Sequence, residues 1–141
     1  MGKVAIIYWS GTGNTEAMAN EVYNAAKEAG AEAELMSVGD ISAEVASEYN
    51  TLLLGCPAMG AEVLEEEEFE PFFSELEGSL AGKKVGLFGS YGWGDGEWMR
   101  SWQERTEATG AVFIGSVIAN DAPDDDALSQ CAELGKRSAL E

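Results

Sequence analysis

The stretch that decides the fold reads Val4-Ala5-Ile6-Ile7-Tyr8-Trp9-Ser10-Gly11-Thr12-Gly13-Asn14-Thr15. Its apolar first part, residues 4–8, is typical of a strand buried on both faces of a sheet. A Gly-rich turn follows at residues 10–15, and apolar residues recur at helical spacing directly after it. A strand, a tight turn and a helix in this order predict the first unit of an α/β fold.

The same alternation continues along the chain. Further apolar runs predict strands at 33–38, 51–55, 84–88 and 112–118. Apolar periodicity predicts helices at 15–29, 66–77, 97–109 and 125–138. Together these elements predict one parallel sheet covered by helices on both faces, with right-handed crossovers. The second strand is more polar than the others, so we expect it near an edge of the sheet.

Three loops of unusual composition follow strands of this sheet. They span residues 9–15, 56–62 and 89–96. In open parallel sheets, ligands bind beyond the carboxyl ends of the strands, where the strand order switches direction. We therefore expect a binding site that these three loops share.

The composition is that of one ordinary globular domain, which we assign to residues 1–141. No apolar run approaches the roughly 20 residues that span a bilayer. The N-terminus shows no secretory pattern, so we expect a cytoplasmic protein. The two cysteines lack metal-type spacing and the chain has no histidine, so we expect no metal site.

The formal net charge is −18. This charge argues against nucleic acid and anionic membranes as partners, because both attract positive charge. It favours a basic partner protein that is attracted electrostatically. Plain solubility explains the same charge, and the sequence alone leaves both explanations open.

The turn at residues 10–15 has the chemistry of a phosphate site. The N-terminus of a helix offers backbone N–H groups and a partial positive charge, and glycines let the backbone approach a ligand closely. The turn has no lysine, which excludes the triphosphate-binding loop, and Glu16 breaks the dinucleotide pattern. A neutral cradle for one phosphate remains, beside the simpler alternative of a capped strand–helix turn.

The other two loops add apolar and aromatic groups. In the second loop Met59 offers a soft surface for an aromatic ring, although the loop also reads as a simple turn. In the third loop Trp93 lies between two glycines, where it is better placed for stacking on a ligand than for packing in a core. Trp98 and Trp102 are four residues apart on a helix and are expected to be packing residues. For Trp9, packing and lining the site remain equally open.

Three segments carry a close resemblance to the short-chain flavodoxins of anaerobic bacteria. They are Tyr8–Glu16, Leu54–Gly60 and Leu87–Gly94, and Glu68–Phe72 is also similar. The resemblance covers nearly the whole chain in order and at the spacing of the family. It implies a single-domain flavodoxin-like three-layer sandwich with a five-stranded parallel sheet in the order 2-1-3-4-5.

The resemblance also implies FMN, bound tightly but not covalently, and a set of binding residues. Ser10 to Thr15 would hold the phosphate, the second loop would line one side of the flavin ring, and the third loop would line the other side, with Trp93 stacked on it. The region near Ala119 and Asn120 is a further expected contact. The expected cofactor-binding residues are Ser10, Gly11, Thr12, Gly13, Asn14, Thr15, Pro57, Ala58, Met59, Gly60, Ala61, Glu62, Ser90, Tyr91, Gly92, Trp93 and Gly94.

The implied function is that of a low-potential one-electron carrier, which shuttles mainly between semiquinone and hydroquinone and exchanges electrons with redox partner enzymes. Such a protein has no substrate turnover of its own, so no catalytic residue is expected, and it is expected to act as a monomer. A small flavin enzyme would need a substrate pocket and a nicotinamide site, for which the chain has no second Gly-rich fingerprint. A receiver-type signalling module would need an acidic cluster after the first strand, where Tyr8 and Trp9 stand instead.

Two features predict how the protein tunes the flavin. Both ring-lining loops lack lysine and arginine, and a negative environment disfavours an anionic reduced flavin. In the family, the peptide after Gly60 flips on reduction and accepts a hydrogen bond, which stabilises one redox state. The acidic residues near the loops are Glu62, Glu65, Glu66, Glu67, Glu68, Glu70, Asp95 and Glu97.

Overall fold

Five parallel strands form the centre of the molecule. In the computed structural model, which describes residues 3–11, 13–59, 63–92 and 94–139, the sheet order is β2-β1-β3-β4-β5. The predicted strand order is therefore confirmed, and so is the edge position of the second strand. The strands are Lys3–Tyr8 (β1), Glu32–Ser37 (β2), Thr51–Gly55 (β3), Lys84–Tyr91 (β4) and Val112–Asn120 (β5).

Helices cover both faces of this sheet. They are Asn14–Glu28 (α1), Ala43–Ala46 (α2), Phe69–Leu76 (α3), Glu97–Ala108 (α4) and Asp125–Ser138 (α5). Short 3₁₀ turns occupy Val38–Asp40 and Glu77–Ser79. The sequence did not predict α2, because one helical turn is too short to show a period. The side chain of Ser42 caps α2 by accepting a hydrogen bond from the Val45 N–H at 3.2 Å.

Alternate residues of the central strands build two separate cores. Ala5 and Ile7 face the layer that contains α3 and α4, whereas Val4 and Ile6 face the layer that contains α1. All four residues are almost completely buried. This two-sided burial explains the continuous apolar run of β1. Trp98 and Trp102 are buried in the first core, so their predicted packing role is confirmed.

Three predicted boundaries are wrong by two residues or more, and one of them is the end of the fifth strand, which is Asn120 instead of residue 118. The fourth strand continues to Tyr91 instead of ending at Phe88, because Ser90 and Tyr91 pair with the last two residues of β5. The third helix begins at Phe69 instead of residue 66. In the described part of the chain, no helix is long and apolar enough to span a membrane.

Candidate functional site

A cleft of about 230 Å³ lies at the carboxyl edge of the sheet. The ends of β1, β3, β4 and β5 each contribute to its wall, as expected for a parallel sheet. The described lining residues include no lysine or arginine. They are Trp9, Ser10, Gly11, Asn14, Thr15, Pro57, Ala58, Met59, Ser90, Tyr91, Gly92 and Asp121.

The turn at residues 10–15, which we call the phosphate turn, is organised around Ser10. The Ser10 Oγ accepts hydrogen bonds from the N–H groups of Gly13, at 3.1 Å, and Glu16, at 3.3 Å. Gly13 has φ 98°, a left-handed conformation that favours glycine. The first helical bond of α1 runs from the Ala17 N–H to the Gly13 carbonyl. The start of a helix also carries a partial positive charge, so this geometry suits a phosphate.

Ser90 joins the three loops of the site. Its Oγ lies 3.3 Å from the Oγ1 of Thr15, and its N–H donates to the same Oγ1 at 3.4 Å. Its carbonyl accepts a hydrogen bond from the Ala58 N–H at 3.0 Å. Thr15 is only 1% exposed and Ser90 5%, so this link is shielded from water. Hydrogen bonds through Ser90 therefore link the phosphate turn, the second loop and the end of β4.

A two-bond bridge closes the second loop. The Met59 N–H donates to the Val63 carbonyl at 2.9 Å, and the Val63 N–H donates to the Met59 carbonyl at 3.1 Å. Met59 lines the cleft, whereas Val63 is exposed. The bridge thus fixes both ends of the segment 60–62, the segment in which the family resemblance places a redox-linked peptide.

A buried carboxylate anchors the far end of this loop. Glu65 is 6% exposed, and it accepts hydrogen bonds from the N–H groups of Glu67, Glu68 and Phe69 at 2.8 to 2.9 Å. Desolvation raises the pKa of Glu65, but the three donors outweigh it and hold the pKa below its ordinary value. This side chain thus holds the turn at residues 66–68, directly ahead of the start of α3 at Phe69.

Backbone contacts also fix the start of the second loop. The Cys56 carbonyl accepts a hydrogen bond from the Trp98 indole N–H at 3.1 Å, and the Cys56 N–H donates to the Phe88 carbonyl at 3.0 Å. The Cys56 Sγ accepts a bond from the Glu65 N–H at 3.3 Å. Burial raises the pKa of the Cys56 thiol, so it is a neutral packing group at physiological pH.

Some of the acidic residues near the site have cationic partners. Asp95 pairs with Arg100 at 3.1 Å on the surface. Glu70 and Glu77 share Arg105, at 2.8 and 3.0 Å, and this partner lowers the pKa of Glu70. With Glu65 also buried, the solvated acidic surface is smaller than the sequence alone suggests.

The structure brings most of the predicted site residues together. Ser10, Gly11, Asn14, Thr15, Pro57, Ala58, Met59, Ser90, Tyr91 and Gly92 all line the cleft. Gly13 shapes the phosphate turn without lining the cleft, and Gly94, with φ 87°, also lies outside the described lining. Five predicted residues lie outside the described part of the chain, namely Thr12, Gly60, Ala61, Glu62 and Trp93.

One residue that lines the cleft was not predicted from the sequence, and the role of another was left open. Asp121 lines the cleft and has a left-handed φ of 57°, and its N–H donates to the Tyr91 carbonyl at 2.7 Å. The only sequence feature that indicates a role for Asp121 is its position directly after β5. From the sequence, the contact was expected one and two residues earlier, at Asn120 and Ala119. Trp9 proves to line the cleft.

Comparison with known proteins identifies the family. The family model described as "Flavodoxin" matches residues 6–135. The flavodoxin of Megasphaera elsdenii is 55% identical over 96% of this chain and 98% of its own length, and that of Clostridium beijerinckii is 46% identical over 95% and 97%. The solution structure of two-electron reduced M. elsdenii flavodoxin superimposes with a TM-score of 0.90, at 56% identity, over 96% of this chain and 98% of that one.

Proposed function

The chain belongs to the flavodoxin family of FMN-binding electron-transfer proteins, and we propose that FMN binds in the cleft at the carboxyl edge of the sheet. The observation that carries this assignment is the link through Ser90, which places a phosphate turn beside an apolar wall. The phosphate turn suits the anionic end of FMN, and Met59 and Tyr91 offer surface to its ring. The whole chain, 1–141, then forms one FMN-binding domain.

The residues that would hold the cofactor divide by chemistry. Ser10 to Thr15 would hold the phosphate, and Ser90 to Gly92 would bind polar groups between the phosphate and the ring. Pro57 to Glu62 would line one side of the ring, with Trp93 and Gly94 at the other side. FMN, when bound, supplies the one-electron chemistry, whereas the protein's residues orient it and set its potential.

Electrostatics support a low-potential carrier. A second electron would leave the fully reduced flavin anionic, in a cleft whose described lining contains Asp121 and no cation. This environment disfavours the two-electron-reduced form, so the second potential is the lower one. The protein therefore cycles mainly between the one-electron-reduced and two-electron-reduced forms of FMN, and exchanges electrons with partner enzymes.

The partner surface follows from the charge of the molecule. A net charge of −18 on 141 residues attracts basic patches and keeps copies of the chain apart, which supports a monomer that docks transiently. The exposed part of the acidic segment Glu65–Glu68 lies beside the cleft, since Glu68 contacts the cleft residue Trp9.

Both cysteines are buried and free, as suits the reducing cytoplasm.

Electron transfer to a basic protein tests this function. We expect the FMN-loaded, fully reduced protein to reduce a basic cytochrome c in single-electron steps, with a second-order rate that falls as salt is added, because salt screens exposed charges. Stopped-flow absorbance at several ionic strengths measures this rate. An acidic cytochrome serves as the matched control, with a rate that rises with salt. A rate to the basic cytochrome that does not depend on salt would contradict the docking surface.

A further inference from the structure

The indole of Trp9 connects two parts of the site. Its Nε1–H donates a hydrogen bond to the Glu68 Oε1 at 3.1 Å. At the opposite end of the ring, Cη2 and Cζ3 lie 3.1 and 3.3 Å from the place that a Cβ on Gly11 would occupy. The ring therefore extends from the acidic segment to the backbone of the phosphate turn.

Both ends of this connection rest on fixed groups. The Trp9 N–H donates to the Gly55 carbonyl of β3 at 3.0 Å, which holds the main chain of Trp9. The Glu68 N–H donates to the buried Glu65 carboxylate at 2.8 Å. The Glu68 Oε2 also lies 3.3 Å from the Cβ position of Gly39, so the carboxylate sits against the 3₁₀ turn after β2. The Trp9–Glu68 bond thus joins two segments whose main chains are already held.

The contact with Gly11 shows where this support acts. A side chain at position 11 would meet the indole edge, so the backbone of the phosphate turn lies directly against the ring. Trp9 is half-buried and lines the cleft together with Ser10 and Gly11. A ring that rotated away from Glu68 would remove the surface on which Gly11 rests.

We propose that Trp9, held by Glu68, is a positioning residue for the phosphate turn, which it keeps in the conformation that binds the phosphate of the cofactor. This inference rests on the proposed function, since it concerns how the same cleft holds FMN. Trp9 would thus affect the binding of the phosphate of FMN and not the binding of its ring. Glu68 acts as a hydrogen-bond acceptor rather than as a charge, because a carboxylate near a phosphate is electrostatically unfavourable.

The affinities of the apo protein for FMN and for riboflavin, which lacks the phosphate, test the proposal. We expect Glu68→Leu and Trp9→Phe each to weaken FMN binding roughly fivefold, as for the loss of one partly exposed hydrogen bond. Riboflavin affinity should not change in Glu68→Leu, because Glu68 is not among the described residues that line the cleft. Both variants break the same hydrogen bond. The double variant should therefore have the same FMN affinity as whichever single variant binds FMN less tightly.

Two variants separate the bond from the charge. Glu68→Gln keeps an acceptor for the indole and loses the charge, so it should bind FMN at least as tightly as the unmodified protein. Glu67→Gln removes a neighbouring exposed charge and should also leave FMN affinity unchanged. Flavin fluorescence quenching measures all these affinities, and thermal unfolding of each variant confirms that it is folded.

Three results would overturn the proposal. They are an unchanged FMN affinity in Glu68→Leu, an equal loss of FMN and riboflavin affinity in that variant, and a loss in Glu68→Gln as large as in Glu68→Leu. A failure of the unmodified protein to bind FMN would instead remove the proposed function. In that event, hydrogen exchange of the Trp9 indole N–H in the apo protein still tests the connection. Exchange should be faster in Glu68→Leu, and equal exchange would show that Glu68 does not hold the ring.

Discussion

Replacing Gly89 with alanine is expected to lower the free energy of unfolding by about 3 kcal/mol or more, at the upper end of the range for an overpacked core. The new Cβ would lie 2.2 Å from the Cys56 carbonyl oxygen and 3.1 Å from the Trp98 ring. Backbone movement at Cys56 would relieve this contact only by breaking its hydrogen bonds to Phe88 and Trp98. Urea denaturation measures the loss.

A matched control uses another glycine of the same chain. A Cβ on Gly78 would meet nothing within 4 Å, so Gly78→Ala should change the free energy of unfolding by no more than about 0.5 kcal/mol, as is usual for surface substitutions. A similar loss of unfolding free energy in the two variants would show that the contact with the Cys56 carbonyl is not the reason why position 89 requires glycine. Gly89→Ala should also weaken FMN binding, because the next residue, Ser90, joins the loops of the site.

Replacing Glu65 with alanine is expected to cost about 3 kcal/mol of stability at pH 7, because three backbone donors lose their acceptor. The pKa of Glu65 is lowered by folding, so its contribution is complete above the unfolded value, near 4.5, and is lost as the pH falls through the folded value. The difference in stability between the unmodified protein and Glu65→Ala should therefore be constant at neutral pH and shrink below about pH 4.5.

The adjacent residue supplies the control for Glu65. Glu66 is exposed and carries the same charge, so Glu66→Gln should leave the unfolding free energy nearly unchanged at every pH. Denaturation curves measured between pH 3 and pH 7 give both comparisons. A Glu65→Ala deficit that stays constant down to pH 3 would contradict the role of the ionised carboxylate.

The sequence predicted the sheet because its strongest signals are periodic and local. Residues 4–7 of β1 and 52–54 of β3 include no polar residue that would suggest an exposed face, so strands buried on both sides were the simplest interpretation. The end of β4 was missed because glycines at 89 and 92 indicate a loop, whereas pairing with β5 extends the strand to Tyr91. Pairing of that kind depends on a distant segment and leaves no local pattern.

The candidate site was predictable where glycines and hydroxyl groups cluster, as in the phosphate turn. Its supporting contacts were not predictable. Glu65 was one acid in a run of four, and only the fold shows that it is buried while Glu66 is exposed. The bond between Trp9 and Glu68 joins residues 59 positions apart. Asp121 lines the cleft because β5 ends beside β4, which no short motif encodes.

An anaerobic redox titration of the FMN-loaded protein is the decisive test of one-electron transfer by this chain. We expect the chain to take up one FMN and its spectrum to change in two separate one-electron steps, the second at the lower potential. A single two-electron step would contradict the role of a one-electron carrier. Failure of the apo protein to take up FMN would contradict the assignment of the cleft.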